Sequence, residues 1–309
     1  MSMVYPDDKN TNLIIGKAIT DDAADVFADA IRWVPVSDTS ERAYINVLLD
    51  RVRCGELGIY TLSAGCKTVG VICHRALDGD VELVFGHLLG ETRDVAYFLE
   101  AAVQDLFNGG AHTVRSNFTW PEPHEFIKAA TSLGFTMTER MSMGLAPSTT
   151  GQKRGNFELF PWHDRYAPEV CRIMCEDSSP ADRHVYPMFS RPDGARMLMD
   201  SVLNDRHGQL LRDLCCVARS GDHTIGFLLS TMLPDGSVLV LNIAVERGHR
   251  RMGVGGAMLD RLSEDSYLKG YRQILLAVTS NNYEAIRLYE RKGFKVNGFF
   301  RQYVLSKIK

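Results

Sequence analysis

Apolar positions fall into short runs of period two or 3.6, separated by polar, glycine-containing breaks, and the order of these runs occurs twice. In the first half, residues 13–18 read as a strand. Thr20-Asp21-Asp22 supplies a helix start, and helical spacing follows over 23–34. A second helix is predicted over 40–53, with Ser40 or Thr39 as its cap. Strands follow at 58–63, 68–74 and 81–87, the last two joined at Asp78-Gly79, a hairpin signal. A helix over 93–107 stops at Asn108-Gly109-Gly110; a strand (112–116), a helix (123–132) and a strand (135–144) complete this half.

The second half repeats the plan. A strand is predicted at 157–160 and a helix at 164–175. A long polar stretch, 176–194, leads to a helix near 195–204. Strands follow at 214–218, 224–232 and 238–245, with Asp235-Gly236 turning the last two. A helix over 253–268, a strand over 273–278, a helix over 282–292 and a strand over 294–304 close the chain. Between the halves, residues 146–155 are polar and rich in small residues and breakers, which is linker composition. The expected domains are therefore 1–145 and 156–309, each of a mixed α/β (α+β) plan and related by duplication.

Composition narrows the class. The 309 residues suffice for two cores, and 45% hydrophobic with 24% charged residues excludes a disordered or fibrous chain. A net charge of −3 gives no pull toward nucleic acid or anionic membrane. No apolar run reaches the roughly 18 residues of a membrane span. Residues 1–12 lack the features of a signal or transit peptide. Seven cysteines without framework spacing fit a reducing, cytoplasmic location, where they pack as small apolar residues. Dispersed histidines with no H-x-x-x-H leave no metal site to propose. Trp33, Trp120 and Trp162 read as packing residues.

The most informative segment runs over 241–259. An apolar strand enters a short basic loop, which enters a glycine-rich helix start, with Arg250, Gly253 and Gly255 standing as R-x-x-G-x-G. The first turn of a helix leaves N–H groups unpaired, and these, with the helix dipole, favour a phosphate. Glycines at 253, 255 and 256 let that phosphate approach the backbone, while Arg250 and Arg251 add charge-assisted bonds. Neither a G-x-x-x-x-G-K-[ST] loop nor a dinucleotide fingerprint is present. A second segment follows. Asn282 stands on the first turn of the 282–292 helix, Ala285, Leu288 and Tyr289 share a face with it, and Gly293-Phe294 ends it. The plain reading makes Asn282 a cap and Tyr289 a core residue.

Together the two segments resemble the GNAT superfamily of N-acetyltransferases. Arg250-x-x-Gly253-x-Gly255 is similar to its pyrophosphate loop, and Asn282-x-x-Ala285-x-x-Leu288-Tyr289-x-x-x-Gly293-Phe294 to its second motif. The resemblance covers 156–309 and implies a tandem GNAT fold, each half a mostly antiparallel mixed sheet flanked by helices. It implies acetyl-CoA as cosubstrate. Ile243 and Val245 would lie along its pantetheine arm. The backbone of Arg250, Arg251, Met252, Gly253, Val254, Gly255 and Gly256 would hold its pyrophosphate. Asn282 and Ala285 would contact the arm, and Tyr289 would face the thioester sulfur.

On that resemblance a primary amine, expected to belong to a small molecule, attacks the thioester directly and Tyr289 protonates the leaving sulfur as general acid. No acid stands on 238–245 or 273–278 to serve as base; Ala277 occupies the place where ribosomal-protein N-terminal acetyltransferases carry glutamate. Glu246 and His249 are expected on a solvated loop, and an acid from 176–193 or a water chain is left to take the proton. The first half looks like a worn copy: Ala130 and Pro123 stand where Tyr289 and Asn282 would be, and Glu91 and Asp94 replace the basic loop. Its expected roles are support and shaping an acceptor cleft bordered by 176–193 and the strand near Tyr303. Two other readings stand beside this one: acetylation of protein N-termini or lysines, and a non-catalytic acyl-CoA sensor. The chain is expected to act as a monomer or homodimer.

Overall fold

The computed structural model describes residues 4–5, 13–35, 39–77, 80–89, 93–149 and 156–307. The Asp78-Gly79 turn, Glu91 and most of the 146–155 break lie outside them. The chain forms two compact units, Met1–Met137 with Arg301–Lys309, and Thr138–Phe300.

In the first unit the elements run β1 (Val4–Tyr5), β2 (Leu13–Gly16), α1 (Ala23–Trp33), α2 (Thr39–Arg53), β3 (Gly58–Ala64), β4 (Lys67–Leu77), β5 (Asp80–Leu88), α3 (Arg93–Asn108), β6 (Thr113–Ser116) and α4 (Pro123–Ser132). Strands β1 to β5 pair antiparallel in sequence order, and β6 joins β5 in parallel. Residues 303–306, at the end of the chain, pair antiparallel with β6 and close this sheet.

The second unit begins within β7 (Thr136–Leu145) and continues with β8 (Glu158–Pro161), α5 (Ala167–Asp177), α6 (Pro180–Val185), α7 (Pro192–Leu203), β9 (Cys216–Ser220), β10 (His223–Met232), β11 (Val238–Val245), α8 (Val254–Leu268), β12 (Ile274–Thr279), α9 (Tyr283–Arg291) and β13 (Lys295–Ser306). Its strands lie in the order β7-β12-β11-β10-β9-β8, and only the β11–β12 pair is parallel. Both units are thus mixed α/β with mostly antiparallel sheets. Asp235-Gly236 makes the expected turn, with Asp235 Oδ1 accepting from Ser237 N–H at 2.9 Å. The polar stretch 176–194 is more ordered than its composition predicts: Ser179 caps α6, its Oγ accepting from Asp182 N–H at 3.0 Å.

The units do not divide at the 146–155 break, where the sequence reading parted the halves. Residues 140–145 pair with β12, and Met143 is fully buried in the second unit's core. Tyr303 is buried in the first unit's core, 5.2 Å from the ring of Phe118. Trp120 and Trp162 are buried as expected, whereas Trp33 is 58% exposed and donates its indole N–H to Asp29.

Each unit contains one parallel pair that parts. In the first, β5 and β6 pair from Asp80↔Thr113 to Glu82↔Arg115 and then separate. The next carbonyl, Leu83 O, accepts from Ser116 Oγ at 3.1 Å, and Ser116 Oγ accepts from Phe118 N–H at 3.1 Å. Phe118 and Trp120 turn inward with ring centroids 4.7 Å apart. The Trp120 ring lies so close to Gly86 of β5 that a Cβ there would meet it at 2.5 Å. The gap is filled by the chain's own aromatic side chains. In the second unit β11 and β12 pair only at Val238↔Ile274 and Leu239↔Leu275, and residues 241–245 of β11 stay half-buried. Here no aromatic ring of the following segment, Ser280-Asn281-Asn282, is available to fill the gap.

Because β7 supplies the strand beside β12, a fragment of residues 156–309 lacks an inner strand of its sheet and exposes the surface that Met143 covers. It should show no cooperative thermal transition by circular dichroism, while a fragment of residues 138–309 should regain one.

Candidate active site

The site is built from the end of β11, the loop after it, and the starts of α8 and α9. The register of β10 against β11 slips by one residue: Leu229 faces Asn242 and Ser230 faces Val240, so Leu241 is an extra residue on β11. Past the bulge, Ile243 and Val245 pack toward the core under α8 and α9, and Leu241 and Ala244 toward that under α5 and α7. The edge of β11 that faced β12 at Leu239 has no strand partner from there on. This leaves backbone N–H and C=O groups available to an extended ligand, as such groups require partners.

The loop is pinned from below. Asp177, at the end of α5 and 7% exposed, accepts from Arg247 N–H at 2.8 Å through Oδ1, and its carbonyl accepts from Arg250 Nη2. Arg250 Nε donates to Val245 O at 3.0 Å. The Arg250 guanidinium thus ties the loop to the ends of β11 and α5, where the sequence reading gave it to a pyrophosphate. Glu246 is not on a solvated loop. It accepts from Arg172 Nη1 at 2.9 Å and His223 Nε2 at 3.0 Å, and His249 Nδ1 lies 2.9 Å away. Burial opposes ionisation of its carboxyl, but the hydrogen bonds and charges of His223 and Arg172 outweigh it and hold the group below the usual glutamate range.

Arg251 and Met252 are exposed and lead to Gly253, whose φ of +88° makes the left-handed turn into α8. No side chain caps α8, so the N–H groups of its first turn are free for an anion. Val254 is buried beneath them. Gly255 and Gly256 have a packing reason as well as the expected one. A Cβ at 255 would meet Leu288 at 3.2 Å, and one at 256 would meet Lys292 at 2.9 Å. That close approach lets Lys292 Nζ reach Asp260 at 2.5 Å and lock α9 onto α8.

On α9, Asn282 is the cap that the plain reading made it: Oδ1 accepts from Ala285 N–H at 3.4 Å. Ala285 is half-buried against the same core as Tyr289. Tyr289 is 7% exposed, with its ring centroid 5.8 Å from that of Phe294. Its hydroxyl meets no hydrogen-bond partner among the described residues. Burial, and then the negative charge of Asp182, push the phenol well above its ordinary value, against the pull of Arg140. Two groups that no motif named therefore bear on the Tyr289 phenol through their charge. Asp182 lies in the 176–193 stretch left open for a base, and only the short helix α6 brings it there. Arg140 comes from β7, and only the strand's place beside β12 brings it in. The cysteines are all free, and burial pushes the thiols of Cys73 and Cys216 up to about 12.

The sequence profile of the family described as "Acetyltransferase (GNAT) family" matches residues 174–294. The matched segment holds β9 to β12, the loop and α9. Its curated relatives include the spore coat polysaccharide biosynthesis protein SpsD of Bacillus subtilis, 25% identical over 163 residues, or 53% of this chain and 55% of the relative. The ribosomal protein bS18-alanine N-acetyltransferase of Escherichia coli K12 is 34% identical over 77 residues, 25% of this chain and 51% of the relative. The chain thus spans about half the length of these relatives. Among solved structures, a GCN5-related N-acetyltransferase from Sphaerobacter thermophilus has a TM-score of 0.59 at 16% identity over 95% of both chains. A tandem GNAT protein from the clavulanic acid biosynthesis pathway has a TM-score of 0.51 at 12% identity, covering 95% of this chain and 98% of its own. These likenesses show the fold.

The Glu246 carboxylate, ionised more readily when folded than when unfolded, stabilises the chain above the ordinary glutamate pKa of roughly 4.3. That contribution drains as pH falls through the lower folded value. Glu246→Gln should cost about 1–3 kcal/mol at pH 7, and urea melts should show the gap to the parent chain closing below roughly pH 4.

Proposed function

We propose that the second unit transfers the acetyl group of acetyl-CoA to a primary amine of a small molecule, and that it does so once per chain. The observation that carries this reading is the parting of β11 from β12 before an uncapped, glycine-rich helix start, with Tyr289 buried in the core against which Ile243 and Val245 pack. The free edge of β11, with Ile243 and Val245 along it, suits an extended arm. The first-turn N–H groups of Val254, Gly255 and Gly256, with the loop Arg250-Arg251-Met252-Gly253 before them, suit a pyrophosphate. Asn282 and Ala285 at the start of α9 leave a small, polar flank for the arm. The aromatic filling beside Gly86 supports a supporting role for the first unit, with no acyl-CoA of its own.

Acetyl-CoA brings an activated thioester that a neutral amine attacks directly. The chain's part is to hold and move protons and to stabilise charge. A backbone N–H at the opened edge of β11 can donate to the carbonyl oxygen as charge develops there. Tyr289, kept protonated by burial, donates its phenolic proton to the departing sulfur. Asp182, whose charge is felt at the same phenol and whose Oδ2 accepts from Ser179 Oγ at 2.6 Å, is the residue this reading assigns as base for the incoming ammonium.

Acetylation of a protein N-terminus is the second reading, favoured by the 34% identity to the Escherichia coli enzyme over 77 residues. Ala277, exposed on β12, offers no acid from that strand. The non-catalytic sensor is the reading left if Asp182 is not the base. A chain with seven free thiols and no described helix long and apolar enough to cross a membrane suits a reducing compartment.

Steady-state kinetics across pH test these roles. Tyr289→Phe should lower kcat by about 10²–10⁴-fold while acetyl-CoA affinity stays within a few-fold, and the parent enzyme should show no descending limb from phenol ionisation up to roughly pH 10. Asp182→Asn should lose activity at pH 7 and recover as pH approaches the amine's own pKa. Unchanged turnover in both variants would remove both residues from the mechanism.

A further inference from the structure

Arg140 is a charged side chain only 5% exposed on a strand of the second unit's sheet. Its Nη2 donates to Ala277 O at 2.9 Å. The direction of that carbonyl locates the guanidinium. Val238 N–H of β11 donates to Gln273 O at 3.0 Å, so Gln273 turns its carbonyl toward β11. Backbone groups alternate sides along a strand, and Ala277, four residues on, turns its carbonyl the same way. By then β11 has left, since the last paired residues are Leu239 and Leu275. Arg140 therefore stands in the gap between the two strands, meeting a carbonyl that their parting set free. The guanidinium carbon lies 5.3 Å from the centroid of the Tyr186 ring, and its charge is felt by the Tyr289 phenol.

The rest of the guanidinium is unmet. Among the described residues, Nε and Nη1 are both buried without an acceptor, and no carboxylate forms an ion pair with Arg140. A buried guanidinium left in this state costs several kcal/mol, and an oxyanion is the partner its planar donor set fits best. Asp182 acts on the same phenol with the opposite sign.

We propose that Arg140 reads a carboxylate on the acceptor, so that the acceptors of this site are amino acids or closely similar amino-carboxylates: the amine faces Asp182 and the carboxylate is held by Arg140. This rests on the acetyltransferase reading of the same site and adds the substrate class to it. The small Ala277 side chain, exposed beside the guanidinium, leaves room for such a group.

The test uses the full chain with matched probe pairs: α-amino acids, β-alanine and γ-aminobutyrate, each against its own carboxamide. Release of CoA gives kcat/KM, and the ¹⁵N-bound Nε–H resonance of Arg140 gives binding without turnover, with acetate as the bare probe. The parent enzyme should favour the acids over their amides by about 10- to 100-fold, and acetate should move the Arg140 resonance. Arg140→Gln should bring the ratio to near one, and Arg140→Lys should restore part of it. Should Arg140→Gln fail to fold, the lysine variant and the parent enzyme still decide. Equal use of acids and amides by the parent enzyme, or an Arg140 resonance unmoved by every carboxylate, overturns the proposal. So does an equal loss for acids and amides in Arg140→Gln, which would place the guanidinium at the thioester oxygen instead. Calorimetry with acetyl-CoA on the same preparations separates the two levels: no binding overturns the acetyltransferase reading as well, whereas binding without acid preference overturns the carboxylate assignment alone.

Discussion

Two neighbouring parallel strands that stop pairing part-way along leave polar backbone groups with nothing to bond to, and the second unit is organised around that constraint. Strands β11 and β12 share two paired positions and then separate. Beyond Leu239 every freed N–H and C=O must find water, a side chain or a ligand. On β12 the answer is Arg140, which meets Ala277 O. On β11 the edge is left open, and the bulge at Leu241 marks where it begins. The first unit faces the same constraint and solves it internally, with Ser116 on the Leu83 carbonyl and Phe118 and Trp120 folded into the gap. One plan, used twice, thus gives a filled wedge and an open one.

The open wedge functions only if the loop beside it keeps its shape, and the charges there serve that end. Asp177 holds the loop from below by side chain and backbone, Glu246 gathers Arg172, His223 and His249, and Arg250 ties Val245 to α5. Lys292 and Asp260 fix α9, which carries Tyr289, against α8. The price of a preorganised anion site is a frame of ion pairs beneath it.

Much of this was legible in the residues. The helix start at Gly253, the cap at Asn282 and the helical face of Ala285, Leu288 and Tyr289 follow from short-range spacing, and they stand where that spacing put them. The Asp235-Gly236 turn is local chemistry of the same kind. What escaped is long-range. Nothing in the composition of 176–194 announces α6, because it depends on one cap, Ser179, and so Asp182 could be named only as one of several acids. Arg140 was invisible as a site residue because the break at 146–155 made β7 the end of the first half, while sheet pairing gives residues 140–145 to the second. Arg250 was assigned by motif to a ligand, and geometry turns its guanidinium to two backbone carbonyls. A motif names the residue type that a loop needs but not which way the side chain turns.

The central claim is that the open wedge of the second unit takes acetyl-CoA and the filled wedge of the first does not. Isothermal titration calorimetry of the full chain with acetyl-CoA tests it most directly, with Gly255→Glu as the matched variant that sets a carboxylate at the anion-binding turn. The account predicts one site per chain, lost in the variant. Two sites per chain, or binding that survives Gly255→Glu unchanged, would contradict it.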